Sequence, residues 1–136
     1  MRDKDNFKSV YSGSKCIVLD TSFLVEMFSK PGLLDEFREA FPEARLVIPK
    51  SVYRELLRLS EGGGRSRGYA RLALRFIGDA GVEVVDRYDS KADIDVLDLA
   101  EESGCAVATC DSSVMRRCRE RGIRLIFLWR GVLTID

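Results

Sequence analysis

A chain of 136 residues suits one domain, and 46% hydrophobic residues supply a core that a disordered chain lacks. Lys+Arg and Asp+Glu both number 22, so net charge points to no class of partner. Histidine is absent, which excludes Ser-His-Asp and Cys-His nucleophile arrangements and histidine-bound metals.

In chain order, Met1–Ser14 is polar and reads as a flexible lead-in to one domain over 15–136. Cys16–Asp20 is an apolar strand feeding a helix over 22–29, which Pro31-Gly32 ends. Leu33, Leu34, Phe37 and Phe41 make a helical stripe that stops at Pro42. A strand over 46–48 leads through Pro49 into a helix over 50–60. Residues 61–68 read as a glycine-rich basic loop, a plain linker or a mobile contact to phosphates. Then follow a helix over 69–79, a strand over 82–85 and a helix over 91–103 with a capping-box pattern at Ser90–Asp93. A strand over 105–109, a helix over 113–121 and a strand over 123–128 complete the rhythm, with residues 129–136 offering a short edge strand. Alternating strands and helices predict an α/β fold with a mostly parallel sheet of about five strands, covered on both faces.

Charge is unevenly spread. Arginines cluster at 54–75 and again at 116–130, and between them Glu83–Glu102 holds eight acidic residues against Arg87 and Lys91. Such a division fits a polyanion held near a metal. The four cysteines form no C-x-x-C pair, so a structural zinc site is not expected. Cys16 and Cys105 lie in apolar runs and read as small hydrophobes. Reduced thiols, no signal peptide and no membrane-length apolar run point to the cytoplasm and away from a membrane.

Four carboxylates stand out. Asp20 and Asp111 each follow an apolar strand and precede spare capping hydroxyls, Thr21-Ser22 and Ser112-Ser113. The carboxyl ends of parallel strands are where α/β sheets bind ligands. Glu55 shares the inward edge of the Val52, Leu56, Leu59 stripe, with an ion pair to Arg58 as its bland alternative. Asp93 heads the Val96, Leu97, Ala100 stripe, whereas Asp95 groups with Asp98 and Glu102 on the wet face. Asp93 is therefore preferred, with Asp95 as runner-up and a cap with Ser90 as the alternative role of Asp93. Carboxylates from four segments repel when packed together, and a hard divalent cation relieves them. An all-oxygen site suits Mg²⁺ or Mn²⁺, and such ions recruit phosphate oxygens.

The motifs LDTS (19–22), REL (54–56), AD (92–93) and ATCD (108–111) together resemble the PIN-domain ribonucleases over about residues 15–130. The resemblance implies a three-layer α/β/α sandwich, an acidic pocket for one or two Mg²⁺ or Mn²⁺ ions, and endoribonuclease activity on RNA. It assigns Asp20, Glu55, Asp93 and Asp111 to the four acidic positions, with Thr21 or Ser22, and Thr109, in support. Two details depart from the family: Cys110 stands where asparagine is common, and Ile94 separates two aspartates that are often adjacent. Toxin-type and ribosomal-RNA-processing members are both similar, which implies a homodimer, an antitoxin or a ribosome-assembly partner.

The reaction expected is metal-assisted hydrolysis of an RNA phosphodiester. Asp20, Asp93 and Asp111 hold the ion directly or through water, and Glu55 holds a second ion or orients the attacking water. Arg65, Arg67, Arg116, Arg117 and Arg119 are candidates to hold the RNA backbone, or else form a solvated face. A non-enzymatic module that binds RNA or protein is the main alternative. A phosphotransfer or receiver domain is a third, although a dehalogenase-type phosphatase wants an aspartate at the place of Ser22.

Overall fold

The computed structural model describes residues 16–136; the expected polar lead-in at 1–14 lies outside the described residues. Among the described residues six strands form one sheet: β1 (Cys16–Leu19), β2 (Arg45–Pro49), β3 (Glu83–Val85), β4 (Ala106–Ala108), β5 (Leu125–Trp129) and β6 (Val132–Ile135). Their order is β3-β2-β1-β4-β5-β6. The first five strands are parallel, and β6 returns antiparallel beside β5. The edge strand expected within 129–136 is β6, which is confined to Val132–Ile135 because Trp129 still belongs to β5.

Among the described residues six helices flank the sheet: α1 (Thr21–Ser29), α2 (Leu33–Ala40), α3 (Lys50–Ser60), α4 (Ser66–Asp79), α5 (Ala92–Ser103) and α6 (Ser112–Arg121). The chain moves outward from β1 to β2 and β3, then crosses back and moves outward again through β4 and β5. With right-handed crossovers this puts α1–α4 on one face and α5–α6 on the other. The result is an α/β sandwich. The order reverses between β1 and β4, so a crevice opens at the carboxyl ends of those two strands.

The strands nearest the middle are the most apolar because both of their faces are covered. Ile17, Val18, Leu19, Ala106, Val107 and Ala108 are all fully buried. Helix α1 packs Phe23 and Leu24 beneath them, and α5 adds Val96 and Leu97. Phe23 and Phe37 meet at 5.5 Å between ring centroids, tying α1 to α2. No helix among the described residues is long and apolar enough to cross a membrane.

Three local expectations are corrected. The glycine-rich loop is shorter than residues 61–68, because α4 starts at Ser66 and takes in Arg67 and Gly68. The capping box at Ser90–Asp93 does not form. Lys91 is the N-cap of α5 and gives no side-chain cap, while the Ser90 amide donates to Asp95 Oδ2 at 2.8 Å. The third concerns cysteine. Cys16 and Cys105 are not free small hydrophobes but a disulfide, with Cα atoms 4.9 Å apart. They precede Ile17 and Ala106, which pair across β1 and β4, so register alone brings the two sulfurs face to face. With these two thiols joined, the cysteines no longer point to the cytoplasm.

Candidate active site

A cleft of about 990 Å³ opens at the carboxyl edge of the sheet. Asp20, Glu55, Asp93 and Asp111 all line it, as do Thr21 and Ser22. Each comes from a different part of the fold. Asp20 follows β1 and caps α1, Glu55 projects from the second turn of α3, Asp93 lies in the first turn of α5, and Asp111 caps α6.

Asp20 is the most deeply set, at 5% exposure. Its backbone amide donates to the Ala108 carbonyl at 2.9 Å, extending the β1–β4 ladder by one residue. Its Oδ1 accepts from the Thr21 amide at 2.9 Å. Its Oδ2 accepts from the Thr109 hydroxyl at 2.6 Å and the Ser22 hydroxyl at 3.2 Å. Thr109 is fully buried, and its Oγ1 in turn accepts from the Asp111 amide at 3.0 Å. Asp20, Ser22, Thr109 and Asp111 are therefore one hydrogen-bonded unit across the β1/β4 switch point. The spare hydroxyls that the sequence offered as caps do not cap their helices. The aspartates cap, and Ser22 and Thr109 hold Asp20. Asp111 Oδ1 accepts from the Ser113 and Val114 amides at 2.8 and 3.1 Å.

Burial raises the Asp20 carboxyl above its ordinary pKa, and the Asp111 charge pushes the same way. The hydrogen bonds from Thr109, Thr21 and Ser22 oppose this. Thr21 Oγ1 is a buried polar atom without a hydrogen-bond partner, also on the cleft wall. A site that raises a carboxylate's pKa and leaves a hydroxyl unsatisfied is one that a cation stabilises. Among the described residues no three acidic or thiol side chains stand close enough to grip one ion unaided.

Glu55 and Asp93 sit at the rim with basic neighbours. Glu55 pairs with Arg58 at 3.5 Å, and Asp93 with Arg117 at 3.5 Å. Both pairs are solvent-facing and worth little. Asp95 is a correction. It is not on the wet face but buried at 5% exposure, accepting from the Ser51 hydroxyl at 2.5 Å and from the Ser90 amide. It clamps the start of α3 to the start of α5 and does not line the cleft. Replacing Asp95 with alanine leaves both donors without an acceptor, and we expect a loss of about 3 kcal/mol in a denaturant titration. Asp95→Asn keeps one acceptor and should cost less, while the folded protein retains its activity; loss of activity with full stability would return Asp95 to the site.

Of the arginines proposed for RNA, only Arg117 reaches the site, through Asp93. Arg116 pairs with Glu120 at 3.5 Å, and Arg119 with Asp136 at 2.8 Å. Arg65 and Arg67 are exposed and do not line the cleft. The sequence reading passed over Glu26, Lys30, Lys91 and Cys110, which do. Ser22, Glu26 and Lys30 are spaced i, i+4, i+8, so they share one helix face, and Ser22 already points that face at Asp20. Glu26 and Lys30 pair at 3.8 Å.

Burial pushes the Cys110 thiol up to about 12, with Glu26 and Asp20 adding and Lys30 opposing. Cys118 is raised to about 11, again mainly by burial. Neither is a nucleophile near neutral pH. Iodoacetamide at pH 8 should label both at least ~10²-fold more slowly in the folded protein than after denaturation. Fast native labelling of Cys110 would show a thiolate at the site.

Residues 17–131 match the family model of the PIN like domain. The chain is 33% identical to Ribonuclease VapC9 of Archaeoglobus fulgidus over 116 residues, covering 84% of this chain and 83% of that protein. In structure it is similar to the PIN domain endonuclease Utp24, with a TM-score of 0.71, 21% identity and coverage of 89% and 90%. A domain of a functionally unknown protein from Methanocaldococcus jannaschii matches with a TM-score of 0.66 at 18% identity, covering 90% of this chain and 96% of that one.

Proposed function

The chain belongs to the PIN-like domain family, and from that premise we propose that it is a metal-dependent endoribonuclease. The observation that carries the proposal is the convergence of Asp20, Glu55, Asp93 and Asp111 on one cleft at the β1/β4 switch point. The names of its relatives, a ribonuclease and a PIN domain endonuclease, support the same reading.

The donor set fits Mg²⁺ or Mn²⁺. The cleft offers four carboxylates and the Ser22 and Thr21 hydroxyls, and histidine is absent. A bound divalent ion supplies Lewis-acid chemistry, lowering the pKa of a water and offsetting charge on phosphoryl oxygens. Asp20, Asp93 and Asp111 would hold it directly or through water, with Glu55 orienting the attacking water or holding a second ion. Ser22 and Thr109 keep the Asp20 oxygens fixed. Lys30 and Lys91, the cations on the cleft wall, draw the phosphodiester toward the carboxylates. In this reading residues 15–136 act as one domain.

The test is cleavage of a labelled single-stranded RNA by purified protein with Mn²⁺, Mg²⁺ or EDTA. Cleavage with either ion and none with EDTA is the expected result. Well-folded protein that binds RNA and cuts none under any condition would leave the non-enzymatic binding module.

A further inference from the structure

The one tryptophan of the chain, Trp129, is 61% exposed, and its cross-strand partner Val132 is 59% exposed. Leaving an indole in water forfeits the burial that usually stabilises it, so its position asks for an occupant. Trp129 ends β5 at a two-residue hairpin. Arg130 and Gly131 both take left-handed backbone, with φ of 50° and 78°. That is the geometry that closes a tight antiparallel hairpin, and Arg130 is the one non-glycine residue in it among the described residues. The turn sets where β5 ends, and so where the ring stands.

The hairpin also forms part of the cleft. Leu128 and Gly131, on either side of Trp129 and Arg130, line it. Side chains alternate along β5, so Trp129 shares with Phe127 the face opposite Leu128. That is the face where α6 lays the Arg119 guanidinium 5.5 Å from the Phe127 ring. The Arg130 guanidinium carbon lies 5.4 Å from the Trp129 centroid. Ring and cation make a paired platform, an aromatic face for a base and a positive charge for its phosphate.

We propose that Trp129, with Arg130, is a stacking platform for a nucleobase of the RNA strand as it leaves the acidic cleft over the β5–β6 hairpin. The inference rests on the nuclease reading above for the identity of the strand. The occupant is a base of that strand because the ring is one residue from the cleft wall and flanked by arginine. Trp129 is a positioning residue: it acts on binding and leaves the chemistry to the carboxylates.

The indole is its own reporter, since no other tryptophan emits. Titrating metal-free protein with a single-stranded oligoribonucleotide should quench its fluorescence. By anisotropy with the same labelled oligomer, Trp129→Ala should bind about tenfold more weakly and Trp129→Phe nearly as tightly as wild type. An abasic ribose-phosphate oligomer should bind all three alike. In cleavage with Mn²⁺, Trp129→Ala should raise KM and leave kcat unchanged. Equal affinity of wild type and Trp129→Ala for the base-bearing oligomer overturns the proposal. So does a Trp129→Ala protein that binds RNA normally but sediments as a smaller species, which would assign the ring to a contact between copies. Quenching and the tenfold loss without cleavage by any metal would support the platform and remove the nuclease reading.

Discussion

Asp20→Asn should lose RNA cleavage by on the order of 10³-fold or more while keeping the fold. The magnitude follows from the several kcal/mol of charge stabilisation that a metal contributes, at about 1.4 kcal/mol per tenfold. Asp20 is the best placed of the four carboxylates to show it, being the most buried and the one fixed by Ser22, Thr109 and Thr21 together. The fold should survive because asparagine keeps an oxygen for the Thr21 amide. Its amide group can donate to the two hydroxyls, which rotate to accept. Stability without metal should even rise near neutral pH. Burial and Asp111 raise the Asp20 pKa in the folded state, so folding favours its protonated form. The wild type thus loses stability as pH climbs from the unfolded carboxylate value through the raised folded one, and Asp20→Asn lacks that component. Addition of Mn²⁺ should reverse the order, stabilising wild type by mass action and the variant little. Two measurements check this: steady-state cleavage, and thermal melts with Mn²⁺ or EDTA. Full activity in Asp20→Asn would remove it from the site. A melt that Mn²⁺ raises equally in both proteins would place the ion elsewhere.

The reach of sequence reasoning can be judged residue by residue. Asp20 and Asp111 were legible as strand-end residues because the apolar runs before them are buried on both faces and carry no competing pattern. Glu55 followed from the stripe of α3, since Val52 and Leu56 do face inward. The same periodicity failed at Asp95. Leu99, four residues on, is buried and was left out of the assumed stripe, so the buried face of α5 is wider than it looked. The donors that make Asp95 tolerable come from Ser51 and Ser90, outside the helix, and no single-helix pattern reveals them. Glu26 and Lys30 were within reach of spacing alone once Ser22 was assigned to the site. Trp129 was passed over because a terminal aromatic reads the same whether a strand ends in the core or in solvent. Long-range register is the harder case. Nothing local to Cys16 or Cys105 says that β1 and β4 are neighbours, and only the reversal of strand order between them brings the two together.

That disulfide carries the largest stability effect we expect. It spans 89 residues, and closing a loop of that size removes about 4.6 kcal/mol of chain entropy from the unfolded state. Against the ~5–15 kcal/mol by which such domains are stable, this is a large share. The Cys16→Ala/Cys105→Ala protein should lose about 3–5 kcal/mol, seen as a Tm lower by roughly 15 °C. Alanine is the right replacement, because both sites are nearly fully buried and a serine hydroxyl would need a partner there. Reduction of the wild type should lower the Tm in the same direction while keeping the sulfur atoms in the core. Cleavage at a temperature well below either midpoint should not change. The two cysteines stand at the amino ends of β1 and β4, whereas Asp20 and Asp111 follow the carboxyl ends. Calorimetry with and without reductant decides it. Identical midpoints, or four reactive thiols in unreduced denatured protein, would show that the bond does not form. A fall in activity that tracks the fall in Tm would show that β1 and β4 need the staple to hold Asp20 and Asp111 in register. The ladder from Ile17–Ala106 to Leu19–Ala108 argues against that outcome, because its hydrogen bonds align the two strands independently of the sulfurs.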